Sequence, residues 1–181
     1  MAVDQYKAFR YQLTLRAIGA WLDDLKPAYF TIFETPDGFS VVATTTRIPP
    51  SPEEAHFRFG TLAQQHDELR KSRGRMPNFE GDLVAPLFAT GRQDFLHALG
   101  FELDDAGAEA IVVDQLDDSV VLSYAYVDPS ADFSWHKRMA LMHVPDIEMV
   151  TRVARGRRRR QDQRAGLFDG FRKGLRSGSN R

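Results

Sequence analysis

One stretch of this 181-residue sequence occurs twice, with the two occurrences 81 positions apart. Residues 15–46 and 96–127 align without a gap, and seven of the 32 aligned positions are identical, where typical residue frequencies give about two by chance. The identical pairs are Leu15/Leu96, Ala17/Ala98, Gly19/Gly100, Leu22/Leu103, Asp23/Asp104, Asp24/Asp105 and Asp37/Asp118. Each stretch ends a helical pattern and continues into two strand-like runs, so the sequence predicts a duplicated helix–β-hairpin unit.

Apolar periodicity predicts the elements of both units. A long helix over residues 3–25 is followed by a hairpin over residues 28–46, which turns at Thr35-Pro36-Asp37-Gly38. The second unit repeats this order, with a helix over residues 93–105 and a hairpin over residues 110–127 that turns at residues 116–119. A further strand is predicted over residues 135–144, without a clear counterpart in the first unit. A helix is predicted over residues 145–160.

Residues 51–73 carry the signals of another helix. Ser51 is a suitable N-cap, Pro52 suits the first helical position, and Glu54 completes a capping box. Apolar spacings of four and three residues then predict a core-facing stripe. The residues of that stripe are Ala55, Phe59, Leu62, His66 and Leu69.

These elements predict an α+β fold in which duplicated helix–β-hairpin units form one antiparallel sheet with helices against one face. Residues 1–150 are expected to form a single domain with repeat units at about 3–74 and 92–150. Residues 151–181 are expected to form a basic, Arg-rich C-terminal helix or tail. The chain contains no cysteine, which excludes disulfides and thiolate metal sites, and it has no apolar run of the roughly 18–20 residues that a membrane span needs. We therefore expect a cytoplasmic protein with no transmembrane segment.

No nucleotide-binding glycine loop, HExxH motif or EF-hand pattern is present, and no cofactor is predicted. The repeated pairs Asp23/Asp24 and Asp104/Asp105 are the strongest candidate for a metal or acid–base site, if the fold brings the four carboxylates together. Their alternative role is to accept hydrogen bonds in the turns after the helices. His56 and His66 are too dispersed for one ion, and His136 in Ser134-Trp135-His136 is compatible with a nucleophile–base pair that no GxSxG-type context supports. We assign no catalytic or metal residue.

Charge is divided unevenly along the chain. Residues 1–149 have a net charge of −10, and residues 150–181 have a net charge of +9. Dense arginine binds phosphate bidentately and needs solvation or a polyanion. The predicted polyanion-binding residues are Arg152, Arg155, Arg157, Arg158, Arg159, Arg160, Arg164, Arg172, Lys173 and Arg176. The apolar residues of the same tail are predicted to dock onto a partner. They are Leu167, Phe168, Phe171 and Leu175.

The sequence is best explained as a non-enzymatic accessory or binding protein. Its acidic body is expected to contact a protein partner or larger assembly, and its tail to engage nucleic acid or ribonucleoprotein, an acidic protein surface or anionic lipid, in that order. Two alternatives stay open: a metal-dependent enzyme that uses the repeated aspartate pairs, and a structural homodimer with paired sheet edges and a solvated tail.

Overall fold

Each predicted hairpin follows a helix, and a third strand follows each hairpin. The computed structural model describes residues 10–45, 48–60, 64, 86–88, 91–128, 134–153 and 156. The elements are α1 (Arg10–Leu25), β1 (Tyr29–Thr35), β2 (Gly38–Thr44), β3 (Pro52–Arg58), a 3-10 turn (Pro86–Phe88), α2 (Arg92–Asp105), β4 (Glu109–Gln115), β5 (Ser119–Val127) and β6 (Trp135–His143). A further helical segment covers residues 144–153. The α+β class and both predicted hairpins are confirmed.

The six strands form one antiparallel sheet in the order β3-β2-β1-β4-β5-β6. Its two halves meet where β1 pairs with β4, and the middle pair of that contact is Ile32 with Val113. These two residues are 81 positions apart, as are the aligned positions of the repeat. The predicted joining of the two hairpins into a single sheet is therefore confirmed.

Helices α1 and α2 cover one face of this sheet. On α1, Leu15, Ile18 and Leu22 follow the spacing of one helix face and are fully buried. Leu96 and Leu99, their counterparts on α2, are buried against the same strands. Inward-facing Ile32, Val41, Ile111, Val113 and Val120 complete the centre of the core.

Two glycines let the helices approach backbone to backbone. A β-carbon at Gly19 would lie 2.5 Å from the α-carbon of Gln93, and one at Gly100 would lie 2.3 Å from the α-carbon of Gln12. Both distances are far below van der Waals contact, and the opposing atoms belong to backbone that cannot rotate away. The repeated glycine thus fixes how closely α1 and α2 pack.

The helix predicted over residues 51–73 is wrong at residues 52–58, which form a strand, whereas Gln64 further along the same range is helical. Residues Pro52–Arg58 form β3, which makes seven residue pairs with β2. Ser51 closes the connection between these strands, since its carbonyl accepts a hydrogen bond from the backbone N–H of Thr45 at 3.1 Å. The capping signals were genuine local preferences, but strand pairing and the packing of Phe57 beside Trp21 outweighed them. β3 is also the strand of the first half that corresponds in position to β6.

Other predicted boundaries differ little or lie outside the described residues. α2 begins one residue before the prediction, and β6 ends one residue before it. Helix α1 is described from Arg10 onward, so the predicted residues 3–9 lie outside the described part. The same holds for residues 61–63 and 65–73 of the expected second helix.

Candidate functional site

The repeated aspartates cap helices at opposite ends of the helix pair. The carboxylate of Asp23 accepts hydrogen bonds from the backbone N–H groups of Arg92 at 2.8 Å and Gln93 at 2.9 Å. The carboxylate of Asp104 accepts the equivalent bonds from Tyr11 at 3.1 Å and Gln12 at 3.0 Å. Each half therefore satisfies the first unpaired donors of the other half's helix.

This arrangement keeps the two aspartate pairs apart. Asp23 contacts the first residue of α2, while Asp104 lies 12 residues further along that helix, a separation of about 18 Å along its axis. The four carboxylates do not converge, so the hypothesis of a metal or acid–base site built from them is wrong. Among the described residues, no group of three His, Asp or Glu side chains is placed to hold one ion.

Burial gives Asp104 an unusual charge state. Desolvation raises its pKa to about 7, although the N–H groups of Gln12 and Tyr11 and the charge of Arg10 act in the opposite direction. The hydroxyl of neighbouring Tyr11 lies within hydrogen-bond distance of two acceptors, the backbone carbonyl of Ala108 at 2.7 Å and Glu34 Oε1 at 2.8 Å. Burial and the charge of Glu34 raise the pKa of this tyrosine as well. These groups join the two halves, and the carboxylates of Glu34 and Asp104 are only partly buried.

A serine, a histidine and an aspartate meet at the open face of the first half. Ser40 Oγ lies 3.2 Å from His56 Nδ1, and His56 Nε2 lies 3.2 Å from Asp37 Oδ1. The same carboxylate forms an ion pair with Arg58, whose Nε lies 3.5 Å from Asp37 Oδ2. It also accepts a hydrogen bond from the hydroxyl of Thr35, at 3.2 Å. The sequence interpretation missed this cluster because it placed His56 on a helix, far from the Ser40 strand. The alternation Glu54, His56, Arg58 was the signal that could have revealed a strand.

The cluster does not have the form of a hydrolytic site. Its residues are exposed or half-buried on a flat sheet, while an activated serine needs a cleft that excludes water and donors for the oxyanion. Hydrogen bonds across β2 and β3 account for it as a stabilising network. Ser134 Oγ also lies 3.2 Å from His136 Nε2, as the spacing allowed, and the imidazole stacks beside Tyr126. This pair, too, lies at an exposed strand end.

The second face of the sheet carries exposed apolar side chains on strands β1 and β6. We call Tyr29, Phe33, Trp135, Met139 and Leu141 the open-face patch; their exposed fractions are 45, 40, 59, 75 and 55%. Register connects them through the sheet, because Phe33 pairs with Val112 of β4, Val112 with Ser123 of β5, and Ser123 with Met139 of β6. Large apolar side chains that stay exposed on one face of a sheet are typical of an interaction surface.

The patch is unevenly distributed. On β2 and β3 the same face presents Ser40, Glu54, His56 and Arg58, so its first half is mainly polar. On β6 both faces carry apolar residues, and three of the five patch residues belong to this strand. The sequence interpretation did not identify any of the patch residues as functional. The apolar residues at alternate positions of WHKRMALMH were the available signal.

The predicted tail residues lie almost wholly outside the described part of the chain. Arg152 is described, and it is exposed on the helical segment of residues 144–153. The predicted residues outside the described part are Arg155, Arg157, Arg158, Arg159, Arg160, Arg164, Leu167, Phe168, Phe171, Arg172, Lys173, Leu175 and Arg176. The described residues therefore do not place the predicted polyanion-binding and partner-docking groups relative to one another.

Comparison with known proteins gives no family for this chain. No protein-family model matches it. No curated protein and no solved structure matches it either. In the described part of the chain, no helix has the length and apolar character needed to cross a bilayer.

Proposed function

We propose that the protein is a non-enzymatic binding or accessory protein whose body holds a protein partner against the open-face patch. The observation that carries this proposal is the exposure of Phe33, Trp135, Met139 and Leu141 on one sheet face, while the opposite face is covered by α1 and α2. Large apolar and aromatic side chains at the centre of an interface contribute most of its binding energy. Met139 and Trp135 are the expected anchors.

The Arg-rich tail completes the proposal as a polyanion-binding element. Support comes from the sequence, in which residues 150–181 have a net charge of +9 beside a body of −10. Arginine side chains bind phosphate groups without reading sequence, and such binding weakens steeply as the salt concentration rises. Nucleic acid or ribonucleoprotein is the proposed ligand class.

An internal duplication is part of the same proposal. It is supported by contacts that recur at an offset of 81 residues. Asp23 and Asp104 make equivalent caps. Tyr11 donates a hydrogen bond to the carbonyl of Ala108, and Arg92 donates the equivalent bond to the carbonyl of Pro27. In this proposal the two halves are pseudo-equivalent subunits of a fused dimer.

A photo-crosslinking experiment tests the partner surface. A photoreactive amino acid is placed at Met139 and, as the matched control, at Asp24, which is exposed on the helix-bearing side. Exposure of living cells to light should give a distinct heterologous adduct at Met139 and none at Asp24. Equal labelling at both positions, or no adduct at Met139, would contradict the proposal.

A salt series tests the tail separately. Labelled RNA and duplex DNA are titrated with the full chain and with a variant carrying glutamine at Arg157, Arg158, Arg159 and Arg160. The slope of log affinity against log salt on duplex DNA should become shallower by about 0.9 for each of these arginines that neutralises a phosphate. Unchanged affinity and slope would remove the polyanion proposal and leave the partner surface untouched.

A further inference from the structure

The two edges of the sheet differ in how well they are protected against pairing. β3 begins with Pro52, which has no N–H to donate, and carries Glu53, Glu54 and Arg58. Proline and clustered charge are the usual means of blocking an edge strand. β6 is nine residues long and contains neither proline nor an acidic residue, and its two charged side chains are Lys137 and Arg138. Within the described residues, β5 alone pairs with it.

Exposed apolar side chains accompany the edge of β6 that no described strand pairs with. Met139 and Leu141 are 75% and 55% exposed and alternate along the open face. A long, apolar edge strand presents a full row of hydrogen-bonding groups and invites uncontrolled association unless something specific covers it. The covering element must therefore supply both a strand and an apolar surface.

We propose that this element is the β6 strand of a second copy of the chain, paired antiparallel about a two-fold axis at Ala140. Each chain has one unprotected edge, so a second copy of the chain is the partner that this edge favours. Pairing of β6 with the β6 of the second copy covers both unprotected edges and gives a closed dimer. The resulting twelve-stranded sheet ends in a blocked β3 at each side, and no described open edge remains. The chain already joins its own half-sheets in this way, through β1 and β4.

The side chains select this register. With the axis at Ala140, each Met139 lies opposite the partner's Leu141 on the open face, and each Arg138 lies opposite the partner's Met142 on the other face. The two Arg138 residues are then four residues apart along the strands, about 14 Å, which exceeds the Debye length at physiological salt. An axis at Arg138 would place the two guanidinium groups directly opposite each other.

This pairing is made at the edge of β6, whereas the proposed partner is held against the open face, and Met139 contributes its side chain to both surfaces. It also places the two open-face patches side by side, so that one continuous surface extends across both copies. If the chain does not dimerise, the crosslinking test at Met139 can still be interpreted. An adduct between two copies of the chain and an adduct with a different protein have different masses.

Sedimentation equilibrium of the full chain tests the dimer directly. The expected mass is twice that of one chain. Met139→Lys should raise the dimer dissociation constant by about ten- to a hundredfold, since each lysine must face the partner's Leu141. Leu116→Lys, at an exposed apolar residue in the turn between β4 and β5, is the matched control and should leave the mass unchanged. A monomeric wild type, or a Met139→Lys dimer as tight as wild type, would overturn the proposal.

Disulfide trapping tests the register, because the natural chain has no cysteine. Ala140→Cys should form an intermolecular disulfide under mild oxidation, since residues directly opposite across an antiparallel pair bring their β-carbons close enough. Glu54→Cys on the blocked edge is the control and should stay reduced. Crosslinking at Glu54→Cys in place of Ala140→Cys, or a ladder of higher polymers, would overturn the β6 assignment.

Discussion

Asp23 and Asp104 have the same role at opposite ends of the α1–α2 pair, each capping the helix of the other half. Both oxygens of each carboxylate accept backbone N–H groups, so the helices lock one another in an antiparallel arrangement. Glycines at equivalent positions, Gly19 and Gly100, bring the backbones together between these caps. This reciprocal contact is what holds the sheet-covering layer as one unit.

Removal of either cap should destabilise the protein measurably. Asp23→Ala and Asp104→Ala each leave two helix-initiating N–H groups without their acceptor, and each should lower the free energy of unfolding by about 1–2 kcal/mol. Asp24→Ala, at the exposed neighbouring position, should stay within about 0.5 kcal/mol of wild type. Urea denaturation gives these values. A smaller loss of stability at Asp23 than at Asp24 would rule out the capping role.

Asp104 should make stability depend on pH. Its pKa is about 7 in the folded protein against an ordinary 3.8, so the folded state binds a proton more tightly than the unfolded state between these values. The contribution of protonated Asp104 to the stability of the folded protein is therefore complete below about pH 4 and is lost as pH rises through 7. Asp104→Asn does not titrate. Chemical denaturation at pH 5 and pH 8 should show a larger decrease in wild type than in Asp104→Asn, and parallel pH profiles would contradict the assignment.

The helix contact should not tolerate a methyl group at either repeated glycine. Gly19→Ala and Gly100→Ala each force backbone atoms apart, and each should cost about 1–3 kcal/mol or more. Gly156→Ala is the control, because a β-carbon there meets nothing within 4 Å. Thermal unfolding should show a lower midpoint for the first two variants alone. If all three variants melted together, the close approach of α1 and α2 would be refuted.

The residues that follow the two helices can be substituted in opposite directions, glycine for lysine at one end and alanine for glycine at the other. Lys26 and Gly107 follow α1 and α2 at equivalent positions, and their φ angles are 50° and 58°. A lysine is strained there and a glycine is not, so Lys26→Gly should stabilise the protein by about 0.5–1 kcal/mol. Gly107→Ala should destabilise it by a similar amount. Denaturation midpoints that shift in the same direction for both variants would disagree with this geometry.

Local signals were enough for α2, both hairpins and β6, because helix periodicity and turn chemistry act over a few residues. They failed at residues 52–58, where the capping box of Ser51 and Glu54 favoured a helix and pairing with β2 imposed a strand. They also failed for the candidate site. The aspartate pairs attracted attention as a cluster of charge, yet their carboxylates are used by backbone N–H groups some 70 to 90 residues away in the chain.

Neighbouring residues along the chain were sufficient to predict the α+β class, helix α2, both hairpins and strand β6. Periodicity, turn residues and charge are local properties, so they can be recognised without coordinates. Folding in three dimensions settled the rest: β1 meets β4 at Ile32 and Val113, Asp23 and Asp104 cap helices and do not converge, and Met139 stays exposed. Those outcomes depend on which distant elements share backbone hydrogen bonds and buried area.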